Sequence, residues 1–403
     1  MGHRAANTNG PDGAPATSAQ VMVDSRMAHA PFRCLVIVPR HRVHFSARLL
    51  AGMIEALDRR PTWLMDHRQD DAQAPDLLRT APAGTWDGGI IFASSPLRDG
   101  LLRNLPFPVV LPVIASDGLP AITLDEHGIG ALAGRHLYRP GWAGVAVGDL
   151  DAPWHHARVA GWQSTFPGAR QVMIGQDDAA ARAFWHAIPR HTAVFATTDP
   201  LAARLTRAAV DLGLRPGIDY CLVGVDDDID ARLQHPTTSS IRLPLEEIGR
   251  LAVEHLAHRV SGQTIADPPP LGPQALMVRE TSDPFLACEP WLQELAGYAH
   301  MAVESGQVAT VERLIAGHGR SRSTIERAWR AATGMGILAT VQRWQIQILY
   351  ERWPEGGDPA TIARTLGLSG PRALARLRAL PPWPVTIPSS ADRIPARAPG
   401  APT

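Results

Sequence analysis

Three segments decide the fold: Phe195-Ala-Thr-Thr-Asp-Pro-Leu-Ala-Ala, Leu212-Gly-Leu-Arg-Pro-Gly and Cys221-Leu-Val-Gly-Val-Asp-Asp. Their apolar runs and their proline and glycine boundaries predict a strand over 193–197, a helix over 200–212 and a strand over 220–225. Strands that alternate with helices indicate a parallel sheet with right-handed crossovers. The carboxyl ends of the two strands then meet at one edge of the sheet.

The same alternation extends through most of the chain. A first series begins with the apolar run at Cys34, and a second series begins near residue 143. We therefore predict two Rossmann-like lobes with a cleft between them. The predicted strands are 34–39, 88–93, 108–113 and 143–148, and the predicted helices are 46–58, 124–137, 158–166 and 178–187.

Three further segments accompany those that decide the fold: His235-Pro-Thr-Thr-Ser-Ser-Ile, Ile248-Gly-Arg-Leu-Ala and Leu276-Met-Val-Arg-Glu-Thr-Ser. In this order and spacing they resemble the LacI/GalR family of repressors. The resemblance implies the type I periplasmic-binding-protein fold, with the chain crossing back to the first lobe near Leu276. The family's N-terminal DNA-binding headpiece has no counterpart, so a DNA reader is expected at the other end of the chain.

Composition excludes several classes of protein. The chain has 403 residues, 45% of them hydrophobic and 19% charged, which suits a globular protein of two or three domains. No apolar run approaches the ~18 residues of a membrane span, and the first 30 residues lack the apolar core of a signal peptide. Cys34, Cys221 and Cys288 form neither a disulfide framework nor a zinc cluster. We expect a cytoplasmic protein without membrane contact, metal or cofactor, with disordered ends over 1–31 and 381–403.

The segment from 311 to 334 has helix-turn-helix character. Gly317 and Gly319 provide a turn after a short apolar helix, and Ser321 is placed to cap the next one. In that second helix Ile325, Ala328, Trp329 and Ala332 share an inward face, and Ser323, Glu326, Arg327 and Arg330 share the opposite face. Between Trp291 and Leu380 the chain carries 11 arginines against 7 acidic residues. This charge balance is compatible with nucleic-acid binding, and a solvated helix surface would give the same count.

These residues resemble the first helix-turn-helix of the AraC-type DNA-binding domain. Ser321, Ser323, Ile325, Arg327, Trp329 and Gly334 occupy its Ser-x-Ser-x-Leu-x-Arg-x-Phe-x-x-x-x-Gly pattern. A long helix over 338–353 would link it to a second unit over 359–377. That unit matches at Ile362, Ala363, Gly367, Leu374 and Arg376, but its usual ending is replaced by Arg378-Ala-Leu-Pro-Pro-Trp-Pro. The alternative is a helical module that only dimerises.

The combination resembles the XylR group of regulators. It implies a sensory domain over 32–284 and an all-α AraC-type double helix-turn-helix domain over 285–380. The expected function is a ligand-responsive transcription regulator for a sugar or sugar derivative. We expect a homodimer on repeated half-sites, because one DNA-binding domain offers limited readout. A small-molecule receptor or an interaction protein is the alternative. The residues expected to contact DNA are Ser323, Glu326 and Arg327 as base readers, Arg320 and Arg322 as phosphate contacts, and Arg372 and Arg376 in the second unit.

Ligands of open α/β lobes bind beyond the carboxyl ends of the strands. Asp226 ends a predicted strand and matches the repressors' sugar-bonding aspartate, and Arg158 matches an arginine that points into their cleft. The alternatives are that Asp226 caps the following turn and that Arg158 forms a salt bridge to an acid such as Asp226. Arg40, His41 and His44 follow the first strand of the other lobe and could also touch the ligand.

Three more residues complete the candidate ligand site. Thr198 occupies a position where repressors often place a ligand contact. Asp199 precedes Pro200, a pattern that also fits a helix N-cap. Trp154, on a predicted loop before Arg158, could stack on a sugar or only pack there. The sequence holds no G-x-S-x-G elbow, P-loop or HExxH motif, so we do not expect an enzyme.

Overall fold

The computed structural model describes residues 30–379, except 41, 71–73, 93–99, 117, 139–141, 167, 264, 287, 308–309 and 353–356. The expected tail lies outside the described residues, as does the leader up to residue 29. The chain forms two compact units. The first comprises residues 1–41, 50–121 and 249–267, and the second comprises residues 42–49, 122–248 and 268–403.

The first unit contains a sheet in the order β2-β1-β3-β4-β5. Its pairs β1/β2, β1/β3 and β3/β4 are parallel, as predicted. The sequence did not predict β2, because its side chains are mostly exposed or half-buried and the segment lacks an apolar run. The strands are β1 (Phe32–Pro39), β2 (Trp63–Asp70), β3 (Gly88–Ile91), β4 (Val109–Val113) and β5 (Ala121–Thr123).

Helices α1 (Val43–Leu57) and α2 (Ala74–Thr80) follow β1 and β2 along the chain. A 3₁₀ turn covers Leu102–Asn104. The apolar core of the first unit includes Leu35, Ile37, Trp86, Ile91 and Leu111, all buried. The first turns of α1 belong to the second unit, and this assignment brings Arg42 and Arg48 into that unit.

The second unit contains a sheet in the order β11-β10-β9-β8-β6-β7. Strands β6, β8 and β9 are buried along their whole length, which explains their continuous apolar sequences. The pairings among β7, β6, β8, β9 and β10 are parallel, whereas β10 and β11 are antiparallel. The strands are β6 (Ala143–Gly148), β7 (Arg170–Met173), β8 (Thr192–Ala196), β9 (Tyr220–Val225), β10 (Ser239–Arg242) and β11 (Ala275–Met277).

The expected crossing near Leu276 is wrong. The chain enters the first unit at Gly249, within α8 (Leu245–Val260), and leaves it after Asp267. Leu276 instead pairs with Ile241 inside the second unit's sheet. The other helices of this α/β part are α3 (Glu126–Leu137), α4 (Pro153–Thr165), α5 (Asp178–Ala187), α6 (Asp199–Asp211) and α7 (Ile229–Leu233).

Two glycines bring α3 and α4 close together. A Cβ on Gly130 would lie 1.8 Å from the carbonyl oxygen of Arg158, and one on Gly161 would lie 1.9 Å from that of His127. Both distances are far below van der Waals contact, so larger residues would force the helices apart. This close packing sets the distance between Glu126, at the start of α3, and Arg158 on α4.

Residues 290–378 contain helices and no strand among their described residues. We call these six elements the C-terminal helices. Their shared core includes Leu295, Ile325, Trp329, Ile362 and Leu374, each at most 1% exposed. They are α9 (Pro290–Glu304), α10 (Val311–Ile315), α11 (Arg322–Thr333), α12 (Ile337–Arg352), α13 (Pro359–Thr365) and α14 (Pro371–Arg378). None of the helices in the described part of the chain has the length and apolar character that a membrane span requires.

Candidate functional site

The second unit's sheet reverses its strand order between β6 and β8, since β7 lies on one side of β6 and β8 on the other. In open α/β sheets such a reversal point, at the carboxyl ends of the strands, is where ligands bind. Three segments with candidate ligand-binding residues follow strand ends in this part of the sheet. They are the start of α4 after β6, Thr197 to Asp199 after β8, and Asp226 after β9.

Asp226 lies at the centre of a buried charged cluster. Its side chain is 2% exposed, and its Oδ2 accepts a hydrogen bond from the Arg42 guanidinium. Its Oδ1 is buried and has no partner among the described residues. Burial raises the pKa of Asp226, and the charges of Arg42 and Arg158 oppose that shift. A buried carboxylate oxygen without a donor is a position where a ligand hydroxyl would be favourable.

Arg158 pairs with an acid, but with Glu126 rather than with Asp226. Arg158 Nε lies 2.6 Å from Glu126 Oε2, and its Nη1 donates to the carbonyl oxygen of Thr197 at 2.6 Å. Burial raises the pKa of Glu126 and the Arg158 charge lowers it, with a smaller upward contribution from Asp226. We call Arg42, Glu126, Arg158 and Asp226 the charged cluster.

Trp154 and His155 lie beside this cluster. The Arg158 guanidinium lies over the Trp154 ring, 4.9 Å from its centroid. The predicted loop at 154–156 is wrong: α4 begins at Pro153, so these residues form its first turn. His155 is fully buried between Thr197 Oγ1, at 3.2 Å, and Gln171 Nε2, at 2.9 Å. Burial lowers the pKa of His155, which favours its neutral form.

Thr198, not Asp199, is the N-cap of α6. Thr198 Oγ1 accepts from the backbone N–H of Leu201 at 3.4 Å, and Asp199 is the first helical residue. The Asp199 carboxylate is fully buried and accepts from Ser240 Oγ and from the N–H of Asp228, both at 2.7 Å. Asp199 therefore has a structural role, although it is not the cap: its carboxylate connects α6 to β10 and to the turn after β9. Asp226 does not cap that turn, since Asp228 is the N-cap of α7.

We expect Asp199→Asn to raise the free energy of unfolding at about pH 8 and to lose this advantage as the pH falls towards about 4. Burial, with the nearby Asp226 charge, raises the pKa of Asp199 well above its usual value. The folded wild-type protein therefore binds this proton more tightly than the unfolded chain, and it loses stability as the pH rises through the folded pKa. The neutral amide avoids that loss.

Urea unfolding across this pH range measures the effect. The matched control is Asp230→Asn, because Asp230 is an exposed residue near the start of α7. If Asp199→Asn were less stable than wild type at the higher pH, burial of the charged Asp199 carboxylate would not destabilise the folded protein, and the prediction would be wrong.

Sequence reasoning missed three charged residues of the site. Arg42 lies between the suggested His41 and His44, and Arg48 donates to the carbonyl oxygens of Asp226, at 3.1 Å, and Leu243, at 2.6 Å. Glu126 lay within a predicted helix start and received no role. Their side chains are close to Asp226 and Arg158 only through long-range packing. Arg40 is exposed in the first unit, and His41 lies outside the described residues.

Helices α10 and α11 are joined by a turn that contains Gly317 and Gly319. Gly317 and Gly319 have φ of 86° and 64°, the left-handed region that glycine adopts readily. Ser321 caps α11 by accepting from the N–H of Thr324 at 3.2 Å, as predicted. Gly334 ends the helix with φ 73°. A second pair, α13 and α14, repeats the pattern with Gly367 at φ 65°.

The outer face of α11 is polar and accessible. Ser323, Arg327 and Arg330 are exposed, and Arg327 has no hydrogen-bond or ion-pair partner within the described ranges. Arg322, by contrast, forms two ion pairs: its guanidinium donates to Glu326 at 2.8 Å and to Glu312 at 3.2 Å.

Two other sets of predicted DNA contacts lie on neighbouring elements. Arg320 lies over the Trp291 ring, 4.4 Å from its centroid. Arg372 and Arg376 are exposed on α14, which packs through Leu374 and Leu377. All of the predicted DNA-contacting arginines therefore lie on the surface of the C-terminal helices.

Comparisons with known proteins bear on the second unit above all. A family model described as "Periplasmic binding protein-like domain" matches residues 142–282. The chain is 25% identical over 250 residues to catabolite control protein A of Priestia megaterium, which covers 57% of this chain and 75% of that protein. It is 29% identical over 193 residues to the HTH-type transcriptional repressor PurR of Proteus mirabilis, which covers 43% of this chain and 56% of that protein.

Solved structures share the fold. The transcription regulator CcpA of Lactococcus lactis superimposes with a TM-score of 0.54 at 17% identity, covering 62% of this chain and 99% of that structure. The xylose-binding transcription activator XylR superimposes with a TM-score of 0.55 at 15% identity, covering 85% of this chain and 94% of that structure. The chain thus contains a periplasmic-binding-protein-like α/β fold, and its relatives are transcription regulators rather than enzymes.

Proposed function

We propose that this protein is a ligand-responsive transcription regulator that binds a sugar or sugar derivative at the charged cluster and reads DNA with its C-terminal helices. The homologues support a ligand-responsive transcription regulator. The observation that carries the ligand assignment is the buried Asp226 carboxylate, which has one oxygen paired with Arg42 and the other without a donor in the described part of the chain.

The chemistry of the cluster suits a polyhydroxylated ligand. A sugar hydroxyl can donate to Asp226 Oδ1 and accept from a guanidinium, so neighbouring hydroxyls can bridge the acids and arginines of the cluster. Trp154 offers an aromatic surface for the apolar C–H side of a sugar ring, beside Arg158. Thr198 is 7% exposed and already caps α6, so its contribution to binding would be limited to the remaining hydrogen-bonding capacity of its hydroxyl.

The surface of α11 supports the DNA assignment. Arg327 is exposed and has no partner among the described residues, so it can bond guanine O6 and N7 in a bidentate manner without first breaking an ion pair there. Ser323 and Glu326 share its face. We propose phosphate contacts for Arg320 and Arg322, which lie exposed at the start of α11; Arg322 would exchange its bonds to Glu326 and Glu312 for a phosphate.

Two further features support this layout. The likeness in fold to the xylose-binding activator extends over 85% of this chain, against 62% for CcpA. One helix-turn-helix module reads few bases, so we propose a homodimer on repeated half-sites, with Arg372 and Arg376 assisting from α14. The protein would act in the cytoplasm, where its operator DNA lies.

Selection of genomic fragments by the purified protein, followed by footprinting, tests the proposal. We expect one or more protected sites whose affinity falls steeply with salt, because phosphate contacts release counterions. Thermal-shift screening against pentoses, hexoses and uronic acids then identifies the ligand, since ligand at 100 times its Kd adds about 2.7 kcal/mol of stability. Retention that is insensitive to both salt and sequence would instead support a receptor or interaction protein whose C-terminal helices only dimerise.

We expect Arg327→Ala to cost roughly 1–3 kcal/mol of operator affinity and to relax base preference at one position. Arg322→Ala should weaken binding to all sequences alike and reduce the salt slope by about one unit. Titration of both variants against single-base operator mutants measures the difference. Arg59→Ala is the control, because Arg59 is an exposed arginine of the first unit. Full base discrimination by Arg327→Ala would show that another residue reads the base.

A further inference from the structure

A cavity of about 570 Å³ lies where the C-terminal helices pack against the α/β part of the second unit. Helices α9 and α12 form one side, and residues 282–286 together with His136 and Gly217 form the other. Its volume falls within the range of small-molecule sites, ~300–1,000 Å³. It shares no lining residue with the charged cluster, so it is a separate place in the fold.

The wall of this cavity is rich in aromatic rings and methionines. Phe285 and Trp344 contribute rings whose centroids lie 6.1 Å apart, and the His300 ring meets the Trp344 ring edge-on at 5.0 Å. Met301 and Met335 add thioether sulfurs, which make favourable contacts with aromatic rings. These rings and thioethers offer apolar surface on which a flat aromatic molecule can pack.

The polar groups of the wall favour an anion. Arg343 lines the cavity with its guanidinium 5.1 Å from the centre of the Trp142 ring. Its Nη2 is buried and lacks a hydrogen-bond partner among the described residues. An unpaired buried guanidinium donor is costly, and a carboxylate is the acceptor that fits it best.

The wall also holds two acids, Asp283 and Glu304. Asp283 Oδ1 accepts from the backbone N–H of Phe285 at 2.9 Å, and Glu304 lies 3.8 Å from His300 Nδ1. Neither acid lies within salt-bridge distance of Arg343 in the structure. The wall therefore carries both signs of charge, and Arg343 has a buried donor without an acceptor among the described residues, so a bound carboxylate would lie on Arg343.

We propose that this junction cavity is a second small-molecule site, which binds an aromatic carboxylate with its ring among Phe285, Trp344 and the methionines and its carboxylate on Arg343. The proposal goes beyond the proposed sugar sensing, because it uses different residues and a different ligand chemistry. A molecule bound there contacts both sides of the junction. It therefore stabilises the packed arrangement of the C-terminal helices against the α/β part.

Isothermal titration calorimetry of the full chain with 3-phenylpropanoate and its neutral analogue 3-phenylpropanamide tests the proposal. We expect saturable binding of the carboxylate, at least tenfold tighter than that of the amide. Arg343→Met should weaken carboxylate binding at least tenfold and leave amide binding unchanged, because it removes the charge but keeps an apolar chain. Arg59→Met is the control for loss of an exposed arginine, and Asp226→Asn is the control for the charged cluster.

A second variant fills the cavity instead of changing its charge. Gly297 lies on the cavity face of α9, and a Cβ there meets no atom within 4 Å. Gly297→Leu also raises helix propensity, so it should fold and should weaken carboxylate and amide alike. The proposal is overturned if wild-type protein shows no saturable carboxylate binding, or if Arg343→Met and Gly297→Leu both bind as wild type does. Loss of binding in Asp226→Asn, with retention in those two variants, would equally overturn it and place the probe at the charged cluster.

Discussion

Trp329→Ala is expected to abolish sequence-specific DNA binding while leaving ligand binding at the charged cluster intact. Trp329 is fully buried in the core of the C-terminal helices, where its Nε1 donates to Thr340 Oγ1 at 2.9 Å. Its ring also packs edge-on against Phe285 at 4.8 Å and Trp344 at 6.1 Å. Removing a buried tryptophan costs about 3–5 kcal/mol, and here the loss falls on the helices that present α11.

Thermal unfolding followed by circular dichroism, together with operator titration, measures both parts of this prediction. Trp63→Ala is the matched control, since Trp63 is a half-buried tryptophan of β2 in the first unit. Trp329→Phe should restore part of the stability, because it keeps an aromatic ring and loses only the indole donor. If Trp329→Ala kept wild-type operator affinity, this core would not be what holds the reading helix.

Arg158→Met is expected to destabilise the protein by about 3–5 kcal/mol, because it leaves the Glu126 carboxylate buried without its partner. The Glu126 side chain is 14% exposed and Arg158 is 5% exposed, so water compensates little for the lost pair. The double variant Arg158→Met with Glu126→Gln should recover most of that loss, since no uncompensated charge remains. Urea unfolding of the two single variants and the double variant gives the interaction energy of the pair.

Ligand affinity separates a structural role of Arg158 from a binding role. If Arg158 contacts the sugar, the stable double variant should still bind at least about tenfold more weakly than wild type, as should Asp226→Asn. DNA binding should remain measurable in both. A double variant with wild-type stability and wild-type ligand affinity would restrict Arg158 to its pairing with Glu126 and to its bond with Thr197.

The charged cluster forms two internal ion pairs and leaves Asp226 Oδ1 without a donor among the described residues. Arg42 occupies one oxygen of Asp226, and Glu126 occupies the Nε of Arg158. Arg42 is 29% exposed, the most accessible of the four side chains, whereas Asp226 is 2% exposed. A ligand that enters would therefore displace Arg42 most readily, and Arg42 is the member whose conformation we expect to differ between free and bound protein.

Local sequence predicted much of the second unit. The strand over 220–225 and the helix over 178–187 were placed with the bounds that the structure has, because both are continuous runs of one pattern between clear boundaries. The strand over 192–196 and the Ser321 cap were likewise predicted to within a residue. The strands of the first unit were harder to predict, because an exposed edge strand such as β2 has no apolar run in its sequence.

The sequence by itself indicated many of the buried strands and amphipathic helices, because burial leaves a periodic record in neighbouring residues. It also placed Asp226 and Arg158 beyond strand ends, and Arg327 on the outer face of a capped helix. Only the tertiary structure decided that Arg158 pairs with Glu126, that Arg42 reaches Asp226 across 184 positions of sequence, and that Thr198 rather than Asp199 caps α6. Pairing depends on distances between side chains of different elements, and those distances are set by packing, such as the glycine contacts of α3 and α4. The cap of α6 is a local bond from the Leu201 N–H to Thr198 Oγ1, and the Asp199 carboxylate bonds instead to Ser240 and Asp228, which belong to other parts of the fold.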